Sequence, residues 1–552
     1  MRSGPCHGRS TTSRMGKSFL MAQLGNDSSD LVELLARTWR DVLRRDDIDE
    51  GANFFELGGD SLQLVRVVTM ARAAGVRIPP AVFRRHPTIR ELARALAEGT
   101  PAGPARPVPV SGPIPLLPSQ VRFFDWRIED PDAYSTTLVA RVSASVDPVL
   151  LGRALYALAE RHEALRTVFP TGPQGRHVVL QDASAATRYK MVSAHGLAED
   201  AVDKLVADVV DGLRAAIDIS AGPLWHATHL DHGELGGTLC LVVHHLVADA
   251  PSLGVLVEDL QELYGTLQVG GAGPTPGEPV VANHARKFRE LAAGRVDEET
   301  VAYWAGRPWH RFGRLPRSTT ATAADLSRAV TLHRTLPGPV TDSLVRSLAA
   351  TGTSTEEALV SALATTLREV TGSDVVALTV TRNGREPVGD DYDLSREVGY
   401  LVLSAPCLLE FPDSPAQPAP LAEQIQRQRD LAREWNALRH LGDDRARWAD
   451  LPAPEVHLVY LGVRADRWQP PFEALWSRQN EPRVGELPHP VSVYAEIVDG
   501  ELCLSWIYGT DLLAEQTVRE LADGTQRRLT GQGADAPSGP ARTDRDARTV
   551  SS

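Results

Sequence analysis

Apolar positions change register along the chain, and each register predicts a kind of element. Leu31, Leu34, Leu35, Trp39 and Val42 recur at three- and four-residue spacing, one face of an amphipathic helix. Leu64, Val65, Val68 and Ala71 repeat that spacing. Ile89, Leu92 and Leu96 repeat it again after His86-Pro87-Thr88, so residues 31–97 read as a small helical bundle. Beyond residue 118 strands and helices alternate. Residues 134–143 alternate as a strand, 150–161 form an amphipathic helix, and 165–169 read as a second, short strand. Thr238-Leu239-Cys240-Leu241-Val242-Val243 is an unbroken apolar run, the pattern of a buried strand. Further strands are predicted at 329–336, 374–381, 400–409, 455–461, 491–498 and 501–508, with helices at 340–350, 354–371 and 512–529.

Two stretches interrupt the pattern. Pro101, Pro104, Pro107, Pro109, Pro113, Pro115 and Pro118 break any helix and favour extended geometry, the composition of a semi-rigid tether. Val-Gly-Gly-Ala-Gly-Pro-Thr-Pro-Gly-Glu-Pro at 269–279 is a second linker. The expected organisation is a disordered leader at 1–27, a helical domain at 28–98 and a linker at 99–118. An α/β lobe at 119–268 follows, then the linker at 269–279, a second lobe at 280–530 and a disordered tail at 531–552. The fold class is α/β, with a helical bundle ahead of it.

Composition narrows the function. A chain of 552 residues is too long for one core. The net charge of −13 argues against nucleic-acid binding, which needs a surplus of Lys and Arg. Cys6, Cys240, Cys407 and Cys503 lie far apart with no Cys-x-x-Cys pair, so neither a zinc framework nor a disulfide scaffold is expected, and no metal site. A reducing cytoplasm is the expected compartment. No apolar run reaches the length of a membrane span.

The candidate chemistry sits at two places. The run at 238–243 leads into His244-His245-Leu246-Val247-Ala248-Asp249-Ala250-Pro251-Ser252. Adjacent histidines at a strand's end face opposite sides, one available for structure and the other for chemistry. Asp-Ala-Pro-Ser then starts a helix, with Pro251 and Ser252 in its first turn. The second place is Leu57-Gly58-Gly59-Asp60-Ser61-Leu62, where two glycines permit a tight approach to a helix start. A serine there presents its hydroxyl outward, and a phosphodiester on it is stabilised by free N–H groups and the helix dipole. A plain N-cap is the simpler role for such a serine. His162, His226 and His229 lack ligand spacing and read as ordinary strand or surface residues.

Leu57 to Leu62 resembles the attachment motif of peptidyl carrier domains, and His86-Pro87-Thr88-Ile89 with Glu91-Leu92-Ala93 resembles a second, weaker carrier signature. His244 to Ser252 resembles the His-His-x-x-x-Asp-Gly-x-Ser signature of condensation domains from nonribosomal peptide synthetases. Leu117-Pro118-Ser119-Gln120 is similar to the opening motif of that family. Arg161-His162-Glu163-Ala164-Leu165-Arg166-Thr167-Val168-Phe169 is similar to its Arg-His-Glu-x-Leu-Arg-Thr-x-Phe stretch. Gly222-Pro223-Leu224-Trp225 and the Gly-Arg of Arg382-Asn383-Gly384-Arg385 fit it too. The resemblance covers about residues 31–529. It implies a carrier followed by two chloramphenicol-acetyltransferase-like lobes forming a V, with the active site at their junction.

The same resemblance implies roles. Ser61 would carry 4'-phosphopantetheine. The candidate catalytic set is His245, His244 and Asp249, with His245 the catalytic histidine and His244 structural. Asp249 is better read as half of a structural ion pair with Arg385 across the lobe junction, because a buried charge needs a partner. The implied reaction is an acyl transfer in secondary metabolism, such as antibiotic biosynthesis. It forms an amide between a phosphopantetheine-tethered acyl or aminoacyl thioester and an amine. The implied partners are an adenylation domain in trans, a phosphopantetheinyl transferase, and an acceptor carrier protein or free amine; neither nucleic acid nor membrane is expected. An inactive recruitment platform and an ester-forming or epimerising member of the superfamily stay open as alternatives. Three positions depart from the family pattern. Ala250 stands where Gly is usual, adding a methyl group at that turn. Leu403 replaces an Asn, and Val281-Ala282-Asn283-His284-Ala285 lacks the usual aromatics.

Overall fold

A computed structural model of the chain describes residues 28–97 in part and most of 114–531. Residues 1–27, 98–113 and 532–552 lie outside the described residues, as do 58–63, 272–279, 386–393, 412–418, 481–484 and scattered single positions. The expected leader therefore falls wholly outside them, and the two linkers and the tail largely so. The chain forms two compact units, a helical one near its start and a much larger one.

In the smaller unit, α1 (Ser28–Leu43) and α2 (Ile89–Ala97) present the predicted apolar faces to one core. Trp39 is its centre. Its ring stacks on Phe83 at 5.6 Å and meets the edge of Phe54 at 4.8 Å. Thr88 caps α2 by accepting the Glu91 N–H at 3.2 Å.

The first lobe of the larger unit runs α3 (Pro118–Asp125), β1 (Ser135–Val142), α4 (Pro148–Arg161), β2 (Tyr189–Ser193), α5 (Glu199–Ala215), β3 (Trp225–Asp231), β4 (Gly237–His244) and α6 (Ala250–Gln268). The chain continues through α7 (Val280–Ala292), α8 (Glu298–Ala305), β5 (Ala329–Leu336), α9 (Gly338–Ala350), α10 (Thr355–Thr371), β6 (Val375–Arg382) and β7 (Leu403–Glu410). It then forms α11 (Leu421–Asp430), α12 (Ala432–Asn436), β8 (Val456–Arg464), β9 (Phe472–Asn480), β10 (Val491–Val498), β11 (Glu501–Gly509) and α13 (Glu515–Thr530).

Two sheets organise these elements. The first has the order β9-β1-β4-β3-β2 and the second β7-β6-β8-β10-β11-β5. β4 is buried at every residue. Leu239 and Leu241 join the α4 and α6 residues Leu155, Leu158 and Leu260 in one core, while Cys240 packs with Val206 and Val210 of α5. A strand covered on both faces needs apolar side chains at consecutive positions, which explains the unbroken run at 238–243.

Several expectations need correction. Residues 163–166 form a 3-10 turn, and only Thr167–Val168 pair as a strand. The strand expected at 400–409 starts at Leu403, because the backbone just before it serves the lobe junction. Leu401 N–H bonds Asp249, and the Tyr400 carbonyl accepts from Ser119. The last helix starts at Glu515, three residues late. β9 has no counterpart among the predicted strands. It comes from the later part of the chain yet pairs antiparallel with β1 in the first lobe, from Val142↔Phe472 to Ser135↔Asn480.

The Arg-His-Glu stretch does its work here. Glu163 Oε1 accepts the Ala282 N–H at 2.6 Å and so caps α7, fastening the second half of the larger unit to the first. Burial pushes the Glu163 carboxyl up to about 7, against the Ala282 and Val281 N–H bonds and the Arg166 charge, which act to lower it. A carboxyl raised from 4.5 binds its proton more tightly in the folded state. The stability contributed by this one group is then fully present below pH 4.5 and is lost as pH rises to about 7, by roughly 3 kcal/mol in all. Denaturation midpoints at pH 5 and pH 8 should show this fall in the wild type and much less of it in Glu163→Gln, which keeps the accepting oxygen. An equal fall in both proteins would remove Glu163 as its source.

Candidate active site

The paired histidines differ completely in their surroundings. His244 ends β4 with no exposure. Its Nε2–H donates to Pro131 O at 2.8 Å and its Nδ1 accepts the Leu246 N–H at 3.1 Å. Both ring nitrogens are used, and burial drives the pKa down to about 3, so the ring stays neutral. His245 lies in the turn that follows. Its backbone N–H bonds Tyr134 O at 2.9 Å, and its ring lies 4.6 Å from the Tyr134 ring and 5.9 Å from that of Tyr400. Its Nε2 is 3.5 Å from Thr136 Oγ1.

Asp249 is the N-cap of α6 and the hub of the lobe junction. Its Oδ1 accepts the Ser252 N–H at 3.1 Å, the Ser252 hydroxyl at 2.6 Å and Arg385 Nη2 at 2.7 Å. Its Oδ2 accepts Arg385 Nη1 at 2.9 Å and the Leu401 N–H at 3.0 Å. Arg385 also donates to Ser252 Oγ, Glu397 O and Asn383 O. Carboxylate and guanidinium are 1% and 2% exposed, so each depends on the other for its solvation. With five donors on one carboxylate, Asp249 has no lone pair left for substrate.

Gly384 is required beside this pair. Its φ is +62°, and a Cβ there would stand 1.8 Å from the Leu401 carbonyl oxygen. That close approach lets the Arg385 segment pack against 399–401.

Sequence reasoning gives His162 no role, and the structure corrects this. It is buried, not a surface or strand residue, and its Nε2 lies 2.9 Å from Asp259 of α6. Burial works to raise the Asp259 pKa, but the His162 bond and the Arg396, His162 and Arg161 charges hold it well below the carboxylate range. Arg396 also donates to Glu258 at 2.6 Å, which makes a second ionic fastening of α6. His226 and His229 are strand residues, as expected, and both are buried. α3 supplies the remaining ties. Gln120 Nε2 donates to Leu246 O at 3.2 Å, and the Ser119 hydroxyl to Tyr400 O. The Leu117-Pro118-Ser119-Gln120 motif is visible in sequence, but its target backbone atoms are not.

Ala250 is exposed at the first position of α6, so its methyl group enters no crowded turn. Leu403 packs with Leu117, Ala285, Phe288 and Leu441 in an apolar cluster. Two of the departures from the family pattern therefore meet in one place. Ser61 lies outside the described residues.

The condensation-domain family model matches residues 110–544. The chain belongs to the condensation-domain family. Ahead of that match, the phosphopantetheine attachment site model covers residues 33–96, so a carrier domain for phosphopantetheine on a serine precedes the condensation domain. Surfactin synthase subunit 1 of Bacillus subtilis is 27% identical over 519 residues, 91% of this chain and 14% of that protein. Tyrocidine synthase 2 of Brevibacillus parabrevis is 26% identical over 535 residues, 92% of this chain and 14% of that one. The chain thus spans a small fraction of these relatives. Among solved structures, the epimerization domain from the third module of tyrocidine synthetase B aligns with a TM-score of 0.64 at 22% identity, over 78% of this chain and 98% of its own. A condensation domain concerned with chain release from the enacyloxin polyketide synthase gives 0.58 at 18% identity, covering 86% and 90%. These two likenesses speak to the fold of the condensation domain, two sheet-bearing lobes. Among the described residues no helix is long and apolar enough to cross a membrane.

Removing one partner of a buried ion pair costs about 3–5 kcal/mol, because the other charge is left behind. Asp249→Asn and Arg385→Gln should each lower the unfolding free energy of the condensation domain by that order, read from denaturant titrations. The double variant should lose far less than their sum. Additive losses would mean that the two side chains act independently.

Proposed function

We propose that the condensation domain joins an acyl or aminoacyl thioester, carried on Ser61 of the preceding carrier domain, to an amine, with His245 as the catalytic group. The observation that carries this reading is the division of labour between the histidines. His244 has both nitrogens committed and is held neutral, whereas His245 stands in the turn beside two aromatic rings at the lobe junction. The phosphopantetheine arm on Ser61 supplies a reactive thioester to a site that has no such group of its own. His245 then takes a proton from the attacking amine or orients it by a hydrogen bond, help worth about 10² to 10⁴ in rate. The rest of the acceleration comes from holding two substrates in register.

Asp249 and Arg385 set the position of the His245 turn and do not touch substrate. The partners proposed are those that a carrier-bound donor and a separate acceptor call for. An adenylation domain acting in trans activates the donor, a phosphopantetheinyl transferase primes Ser61, and the acceptor arrives on another carrier protein or as a free amine, all in the cytoplasm.

The test primes the chain with a phosphopantetheinyl transferase and an acyl-coenzyme A, then supplies amines both free and carrier-bound. Intact mass should rise by one acyl-phosphopantetheine in the wild type and not in Ser61→Ala. Single-turnover amide formation should fall by about 10² or more in His245→Ala at unchanged loading and melting temperature. Near-wild-type turnover in that variant would move the chemistry elsewhere. Solvent deuterium at the α-carbon of the loaded residue, without amide, would replace the reading with epimerisation.

A further inference from the structure

β1 is the wall against which the histidine turn rests. It pairs antiparallel with β4, Ser135 opposite His244 and Thr136 opposite Val243. Tyr134, just ahead of it, accepts the His245 N–H on its carbonyl and holds its ring 4.6 Å from the imidazole, tilted by 30°. Residues two apart on an extended chain face the same side. Thr136 meets the same imidazole, its Oγ1 3.5 Å from Nε2. Tyr134 thus sets the plane of the ring, and Thr136 stands at its Nε2 corner.

Both Thr136 and His245 are buried, so water competes weakly for this contact. At 3.5 Å it is long for a hydrogen bond, and bonds at a reacting centre commonly tighten only when substrate closes on them. Valine has nearly the shape of threonine and suits a buried strand better, since a hydroxyl taken from water must be met by a partner. The partner here is the imidazole of His245.

We infer that Thr136 is a positioning residue for the condensation step, its hydroxyl serving His245 Nε2 as donor before proton transfer and as acceptor after it. The inference rests on the amide-forming reading. A hydroxyl takes either role by rotation about its C–O bond. Donating to the Nε2 lone pair, it holds the neutral ring in place and yields that lone pair to the incoming amine. The amine nitrogen then bonds to the thioester carbonyl carbon, the carbon–sulfur bond breaks, and the amine's proton passes to Nε2. Thr136 Oγ1 accepts that N–H from the imidazolium until the departing pantetheine sulfur takes the proton. A hydrogen bond from a charged donor is about twice as strong as a neutral one, so the hydroxyl helps most while the ring is charged.

The test compares Thr136→Val and Thr136→Ser in the whole chain, primed at Ser61 with an acyl-phosphopantetheine. Loading and melting temperature should match the wild type in both. In single turnover the valine variant should be about tenfold slower at saturating amine, with the half-saturating amine concentration unchanged. That is the pattern of an interaction gained only in the transition state. Serine keeps the hydroxyl and should restore most of the rate. Combined with His245→Ala, the valine change should cost nothing further, because the ring it serves is gone. The ring 15N signal of His245, assigned by its loss in His245→Ala, is read at fixed pH. It should move toward that of a bare imine nitrogen in Thr136→Val. A wild-type rate in the valine variant, a loss equal with and without His245, or an unmoved 15N signal overturns the assignment. A moved signal without any amide product in the wild type sinks the amide reading alone. Product with an unmoved signal sinks the Thr136 role alone.

Discussion

The Asp249–Arg385 pair is the constraint on which the rest of the condensation domain depends. Neither charge reaches water, and each is stable only in the geometry that presents the other. Asp249 also begins α6, so the ion pair fixes the start of the helix that follows the histidine turn. Arg385 ends the segment after β6, and its reach to the Glu397 carbonyl holds the stretch that carries Leu401 and Tyr400. A buried pair of this kind adds little net stability, since desolvation offsets most of the attraction. What it supplies is a single permitted arrangement of the turn, the helix start and the facing loop. The Arg396 cluster on Glu258 and Asp259 repeats the device further along α6.

Local elements are legible where a sequence pattern has one physical cause. The pattern places β5 and β10 to the residue, and β4 follows from its apolar run. The His244–Ser252 turn and the Gly-Arg segment are legible through resemblance, together with the residues that meet at the junction. β9 is not legible. Phe472–Asn480 is rich in polar and charged residues, and its pairing partner lies more than three hundred residues earlier. Nothing in a local window encodes such a partner. The role of His162 is hidden for the same reason. An isolated histidine carries no mark of the buried aspartate it will meet, and Asp259 sits on a helix whose own pattern looks ordinary.

The departures from the family pattern read differently once placed in space. Leu403, where the family usually has an asparagine, and Ala285, in the stretch short of aromatics, share one apolar cluster with Leu117 and Phe288. An interior packed at this density tolerates little change in total volume, so a substitution at either position is felt by the other residues of the cluster.

β9 carries a consequence for how the domain can be divided. The first lobe borrows this strand from the far end of the chain, and β1 hydrogen-bonds along it for its whole length. A fragment ending at residue 268 would leave β1 as a bare edge between the core and solvent, open to pairing with any other chain. Exchange of lobes between related proteins meets the same obstacle. The inherited piece is not a contiguous half but an interleaved one, in which Phe472–Asn480 must travel with the strand it covers. A builder of chimeras meets that joint wherever the two lobes are parted.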